Sequence, residues 1–267
     1  YVAWNWKAGG SAGTYNIDGT GHATLGAAGL SITGVNGNSP TFTGCSINTE
    51  AGFGIYEIDP NHAVSDQRTD FTHGLDSTPE LVITKVLDGS GGNWHTFTNI
   101  IDGSTDRGKL NTTDSFVDDT LNGVSIATST EIRIEEAFTG GTSRFLFYCF
   151  HSVDGYQKVG SYTGTGASGN TIYTTDDGTS TGNGGFRPRF ILVKNISDSA
   201  NTHWGMFDSV RDSSNPNTGR LLANLTNAES TTDANWSFDF TSNGFEVNST
   251  AIQSNKLNDV YIYLAIA

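Results

Sequence analysis

The sequence predicts an all-β protein of two tandem antiparallel β-sandwich units, lectin- or jelly-roll-like, with an extra N-terminal β segment. Three observations point there. Charged residues are only 16% of 267, while glycine reaches 33, a turn-rich composition unlike a helical bundle. Apolar residues alternate with period two in several short runs, and no window of useful length carries a 3.6-residue stripe. The chain also repeats itself at a spacing near 110 residues, a common size for one β domain.

The repeat sets the boundaries. Pro79-Glu80-Leu81-Val82-Ile83-Thr84-Lys85 matches Pro188-Arg189-Phe190-Ile191-Leu192-Val193-Lys194. Downstream, Trp94 and Phe97 match Trp204 and Phe207. Gly52-Phe53 and Gly155-Tyr156 open the two units, and Gly74-Leu75 and Gly185-Phe186 precede the matched strands. Residues 51–151 therefore form unit 1 and residues 152–267 unit 2. The closing strands are Phe145–Phe150 and Val260–Ala267, and Tyr1–Lys7 resembles both. Residues 1–8 are thus expected to be the closing strand of a preceding unit or a donated strand, with Tyr1, Val2, Trp4 and Trp6 as strand-exchange candidates, because a bare apolar strand wants a partner. Pairing of that strand with residues 9–50 is the competing expectation. Residues 9–50 read as a small β segment or connector. The chain begins at Tyr1 without a signal-peptide pattern, as expected of a fragment or processed product.

Within unit 1, Glu131-Ile132-Arg133-Ile134-Glu135 alternates as a half-solvated strand should. Within unit 2, Ser237–Phe240 and Phe245–Val247 flank Asn243-Gly244, a strong hairpin signal, and Leu121-Asn122-Gly123-Val124 repeats it in unit 1. Leu221–Ser230 is expected to form a helical turn or two. Ser161–Gly185, rich in Gly, Ser and Thr around Ile172-Tyr173, reads as a long surface loop or hairpin suited to contacting a partner. A lectin-like or jelly-roll topology is preferred to an immunoglobulin-like one.

Lys plus Arg total 14 against 28 Asp plus Glu, giving −14. That field repels phosphate backbones and anionic headgroups, which excludes nucleic acid as a partner. The longest apolar runs fall far short of the ~20 residues a spanning helix needs, so no membrane insertion is expected. Cys45 and Cys149 lie in apolar strand-like segments and read as reduced, packed thiols.

No catalytic motif appears: no nucleophile elbow, no HExxH, no Walker loop, no zinc-spaced Cys/His set. The six histidines are scattered. The acid pairs Asp118-Asp119, Glu135-Glu136 and Asp176-Asp177 read as solvated surface, since 28 acids make pairs inevitable. Asp88–Asn93 and Asp176–Ser180 offer oxygen ligands for calcium, but neither has EF-hand spacing and a plain turn is the preferred reading, so no cofactor is expected. Trp94 and Trp204 recur at matching repeat positions, which predicts a shared packing role and matched burial. Tyr173, in the unrepeated stretch, is the candidate glycan or partner contact, together with Asp176 and Asp177. The Asn-x-Ser/Thr patterns at Asn195 and Asn224 arise freely in so Ser/Thr/Asn-rich a chain.

Gly185–Lys194, Trp204–Asp208, Ser242–Phe245 and Tyr261–Ala265 resemble repeats in tail-associated virion proteins of tailed, especially marine, bacteriophages. Tyr1–Gly9 and His73–Lys85 look like the same repeat's ends and openings. Unit 1 departs from the pattern at residues 131–141, where a charged strand replaces a small-residue turn. The resemblance implies a non-catalytic virion protein of the tail or fibre, located in the particle, homo-oligomeric, with other virion subunits and host surface glycans as partners. The alternatives are a capsid decoration protein, a carbohydrate-binding module, or a polysaccharide depolymerase or glycoside hydrolase.

Overall fold

The computed structural model describes residues 15–267 except 65, 89–91, 120–122, 127, 136–137, 139–142 and 201. Tyr1, Val2, Trp4 and Trp6, and with them the strand-exchange expectation, lie outside the described residues, as do Asn122 of one hairpin signal and Glu136. The chain is nearly all β and divides into two compact units. Unit 1 comprises residues 1–107 and 117–151, and unit 2 comprises 108–116 and 152–267.

Unit 1 contains β1 (Tyr15–Ile17), β2 (Thr20–His22), β3 (Ile32–Val35), β4 (Thr41–Asn48), β5 (Phe53–Asp59), β6 (Arg68–Thr72), β7 (Leu81–Val86), β8 (Trp94–Thr98), β9 (Asp106–Lys109, whose last two residues belong to unit 2), β10 (Val117–Asp118), β11 (Val124–Ser125), β12 (Glu131–Glu135) and β13 (Phe145–Phe150). A nine-stranded sheet runs β10-β9-β8-β7-β13-β5-β4-β1-β2, and a four-stranded sheet runs β11-β12-β6-β3. All pairs are antiparallel except β1 with β4. One core joins the two sheets. Phe42, Tyr56, Val82, Phe97 and Phe147 come from the large sheet, and Phe71, Val124, Ile132 and Ile134 from the small one. Phe71 sits at the centre, 5.4 Å from the Phe147 ring and edge-on to Phe42 at 5.8 Å. Burying so many large rings is the main stabilising contribution.

Unit 2 contains β14 (Gln157–Thr163), β15 (Asn170–Tyr173), β16 (Phe190–Asn195), β17 (Gly205–Asp208), β18 (Leu221–Leu222), β19 (Phe238–Thr241), β20 (Gly244–Val247) and β21 (Val260–Ile266). Its sheets run β14-β21-β16-β17-β18 and β15-β20-β19. Ile191, Val193, Phe207, Tyr261 and Tyr263 face Ile172, Phe238, Phe240, Phe245 and Val247 across the core.

The two units trace the same path. Counting unit 1 from β5, the first strand in each pairs with the last, and the last pairs with the third (β5-β13-β7 and β14-β21-β16). In each, the second strand pairs on the other sheet with the next-to-last (β6-β12 and β15-β20). This nesting of outer strands around inner ones is jelly-roll-like. The matched motifs occupy matched registers: Val82 lies opposite Phe97, and Ile191 opposite Phe207.

Residues 15–48 are part of unit 1: they supply β1–β4, covering the outer edges of β5 and β6. Nothing equivalent precedes β14, whose outer edge is blunted locally. Val153 bridges Gln157, and the Ser152 hydroxyl accepts the Val159 N–H at 3.1 Å. Such capping keeps a seven-residue edge strand from templating a further strand.

Two expectations are corrected. Leu221–Ser230 is not helical: Leu221 and Leu222 pair with β17, and Arg220 bridges Ser230, so these backbone groups serve a sheet edge. Ser161–Gly185 is not one loop, because Ser161–Thr163 completes β14 and Asn170–Tyr173 is β15. The Asn243-Gly244 hairpin exists, but Thr241 pairs with Gly244, so the turn is Ser242-Asn243. Gly244 is needed for another reason: a Cβ there would meet the Ile172 carbonyl oxygen at 2.0 Å.

Candidate functional site

Tyr173 ends β15, the edge strand of the three-stranded sheet. Alternation puts Ile172 into the core and turns Tyr173 and Thr171 outward. The register carries this face across the sheet. Thr171 is opposite Glu246, which is opposite Asp239, and Tyr173 is opposite Gly244, which is opposite Thr241. Directly opposed residues in antiparallel strands point the same way, with Cβ atoms about 5 Å apart. The outer face thus holds one half-buried aromatic ring beside a residue with no side chain, two threonine hydroxyls and two carboxylates.

The polar atoms of this face are not satisfied internally. Thr171 Oγ1 donates to Glu246 Oε2 at 3.3 Å. Asp239 Oδ1 and Thr241 Oγ1 are shielded from solvent and have no hydrogen-bond partner in the protein. Among the described residues no cation pairs with Asp239 or Glu246. Two carboxylates directly opposed across strands repel one another, so this arrangement costs stability.

Asp176 and Asp177 follow in the exposed loop after β15, but their carboxylates serve that loop. Asp176 Oδ1 accepts the N–H groups of Asp177 and Asn183, both at 2.8 Å, which lowers its pKa. Asp177 Oδ1 accepts the Thr179 N–H and hydroxyl at 2.8 and 2.9 Å. The loop is therefore a self-stapled rim next to Tyr173.

Other sequence candidates resolve differently. Asp88 is held by Arg144 through both oxygens, at 2.9 and 3.1 Å, and residues 89–91 lie outside the described residues. Among the described residues no three His, Cys, Asp or Glu side chains converge on a metal position. Cys45 and Cys149 are free and buried, on strands flanking β5, and burial pushes the Cys45 thiol up to about 11. Asn195 is fully buried, donating to Ile252 O and Asp259, and the Asn224 side chain is engaged by His203 and the Trp204 N–H, so neither is presented for glycosylation.

Matched burial of the two tryptophans holds only for one. Trp204 is 1% exposed, whereas Trp94 is half-buried, stacked at 6.3 Å on Tyr148. The difference comes from residues 108–116. Lys109 O accepts the Trp204 indole N–H at 2.8 Å, and the Phe116 ring packs on the indole.

Three titratable groups escaped the sequence reading. Lys194 is fully buried, donating to Asn195 O at 2.6 Å, Thr202 Oγ1 at 2.9 Å and Thr113 O at 3.3 Å. Burial pushes its pKa down to about 7. It fastens residues 108–116 within unit 2. Asp106 in unit 1 is buried with Oδ2 unpartnered, and burial, with Asp102 and Asp118 nearby, raises its pKa to about 6. His73 is buried with Nδ1 accepting the Leu75 N–H, and burial lowers its pKa to about 4. Lys194 follows the apolar run Phe190–Val193 and is next to last in a strand whose every residue is buried, whereas Lys85, its counterpart in the repeat, is only half-buried.

A protein-family profile described as "Domain of unknown function (DUF7483)" matches residues 41–267, which take in unit 2 and unit 1 from β4 onward. The chain belongs to the DUF7483 family. No curated protein and no solved structure matches it. The DUF7483 match opens at Thr41, the first residue of β4.

Proposed function

We propose that this DUF7483 chain is a non-catalytic structural component of a virion, in the tail or fibre of a tailed phage, working alongside other virion subunits as a homo-oligomer. The observation that carries the reading is one strand path traced twice in succession, over the nine strands β5–β13 and the eight strands β14–β21. Repetition of one sandwich adds scaffold without new chemistry, as suits a structural component. The net charge of −14 suits an outer surface that does not bind packaged nucleic acid. A retaining or inverting glycosidase sets two carboxyl groups on either side of the scissile bond. Asp239 and Glu246 instead stand side by side on one sheet face.

The test is mass spectrometry of purified particles, with antibody labelling by electron microscopy. Peptides from both units in stoichiometric amount, and label on the tail, are expected. Absence from intact particles overturns the reading, as does release of shortened polysaccharide by the purified chain.

A further inference from the structure

We infer that the chain joins to a second copy of itself: the exposed loop 223–229 of unit 2 in one copy docks on Lys85, Leu87 and Trp94 of unit 1 in the next. This deepens the homo-oligomeric part of the reading above and rests on it. The chain already makes one contact of this kind. Residues 108–116 lie between the core of β9 and β10 in sequence, yet belong to unit 2. They are held at three positions. Lys109 O accepts the Trp204 indole N–H at 2.8 Å, Thr113 O accepts Lys194 Nζ at 3.3 Å, and the Phe116 N–H donates to Ile196 O at 2.9 Å. Trp204, Lys194 and Ile196 are all buried as a result.

The repeat supplies a second acceptor. Trp94, Lys85 and Leu87 are the unit 1 counterparts of Trp204, Lys194 and Ile196 along the matched strands. Leu87 and Ile196 are placed alike, for each follows its strand and donates its N–H to the start of the closing strand, to Arg144 O at 2.8 Å and Val260 O at 3.0 Å. In unit 1 these positions stay open to solvent. Leu87 is 40% exposed where Ile196 is 6%, and Lys85 and Trp94 are half-buried. Lys85 Nζ donates to Gly92 O at 2.7 Å. An ammonium carries three N–H bonds, so it takes further acceptors, as Lys194 does.

The repeat also supplies a second donor. β18 lies beside β17 as β9 lies beside β8. An Arg–Asp pair then brackets the loop that follows in each unit: Arg107 with Asp119 at 3.5 Å, and Arg220 with Asp233. The first bracketed loop is engaged by Trp204 and Lys194. In the second, residues 225–229 are all exposed, with Leu225 at 41%. Counted from the arginine, Thr226 stands where Thr113 stands, and Glu229 where Phe116 stands, so the apolar part of the contact passes to Leu225. Both hydrogen-bond acceptors in the existing contact are main-chain carbonyls, so the bonding carries over although the side chains differ. Each copy holds one donor loop and one acceptor surface, which makes the contact heterologous and lets it propagate from copy to copy.

The test is sedimentation velocity of the full chain up to about 200 μM, because a one-loop contact buries less than the ~800 Å² per side of a tight complex. Mass above that of one chain, rising with concentration, is expected. Leu87→Asp and Leu225→Asp change exposed side chains, so each should keep the melting temperature while weakening association tenfold or more. Val64→Asp, at another exposed apolar position, should leave association unchanged. A short bis-maleimide should link Leu87→Cys chains to Thr226→Cys chains in a mixture, and neither variant to itself. A single-chain mass at every concentration, association indifferent to Leu87→Asp or Leu225→Asp, or linkage of Leu87→Cys chains to one another would each overturn the interface. A chain that stays single in solution yet labels the tail sinks the interface and leaves the virion assignment standing. One that assembles through Leu225 but is absent from particles does the reverse.

Discussion

Unit 1 and unit 2 share a strand path but satisfy themselves differently. Unit 1 uses added strands, β3 and β4, to cover two edges, and an ion-pair lattice to finish its outer face. Unit 2 has neither: a serine hydroxyl and a one-residue bridge blunt β14, and its outer face keeps opposed carboxylates. The β19 edge is closed in the same economical way. Asn217 exchanges backbone bonds with Phe238, Asn215 Oδ1 accepts the Phe240 N–H, and Arg187 Nε donates to Phe240 O. A shared topology therefore fixes the core, while edges and faces are free to diverge.

The tryptophans give the largest test of that contrast. Trp204→Ala should cost about 3–5 kcal/mol, because it opens a cavity and orphans a carbonyl. Trp94→Ala, already half in water, should cost about 1–2 kcal/mol. Urea unfolding of both variants checks this, and equal costs would break the comparison.

The pH responses of the two units should differ next. Lys194 has a folded pKa of about 7 against about 10.4 for an unfolded lysine. The unfolded chain binds more protons between those values, so stability rises by about 2–4 kcal/mol as pH climbs through that window. Lys194→Met should remove this slope. In unit 1, His73 has a folded pKa of about 4 against about 6.5 unfolded. Its contribution is fully present above about 6.5 and is lost as pH falls toward 4, by roughly 2–3 kcal/mol. His73→Asn should flatten that acid limb in denaturation midpoints taken across pH. A His73 variant with an unchanged acid limb would remove the histidine from the account.

Asp106 acts with the opposite sign to His73. Its folded pKa of about 6 exceeds the ordinary carboxylate value, so the ionised form destabilises unit 1 above pH 6 and the penalty vanishes below about 4. Asp106→Asn should therefore stabilise by about 1–2 kcal/mol at pH 7 and be neutral at pH 4, as melting curves at the two pH values would show. The smallest effects belong to the outer faces. Arg133→Ala should cost about 0.5–1 kcal/mol, whereas Glu246→Gln should gain a few tenths by relieving repulsion. Changes of the same sign in thermal melts would erase the distinction between the faces.

Much of the scaffold was legible in the residues. The Pro-led apolar strands, the Trp and Phe at near-constant spacing and the apolar closing runs Phe145–Phe150 and Val260–Ala267 marked β7, β8, β13, β16, β17 and β21, because strands that pack into a core repeat where packing repeats. The alternation of Glu131–Glu135 gave β12 directly. Tyr173 was singled out as a contact, but its companions Glu246 and Asp239 were not. They lie 73 and 66 residues further along the chain, and only strand register brings them onto one face. Burial of Lys194 and the cover over Trp204 were hidden for the same reason: both depend on residues 108–116, which precede their partners by about 80 to 95 positions. The helical expectation at Leu221–Ser230 failed because a two-residue strand leaves too short a pattern to read.

The excursion of residues 108–116 has a consequence for how such proteins can be cut and inherited. A break at position 151 looks natural on the page, yet it would strip unit 2 of nine residues that supply the carbonyl under Lys194 and the ring over Trp204. Genetic shuffling of single modules would leave that half with an exposed indole and an unanchored ammonium. Exchange between related genes is thus expected to move the pair as one cassette.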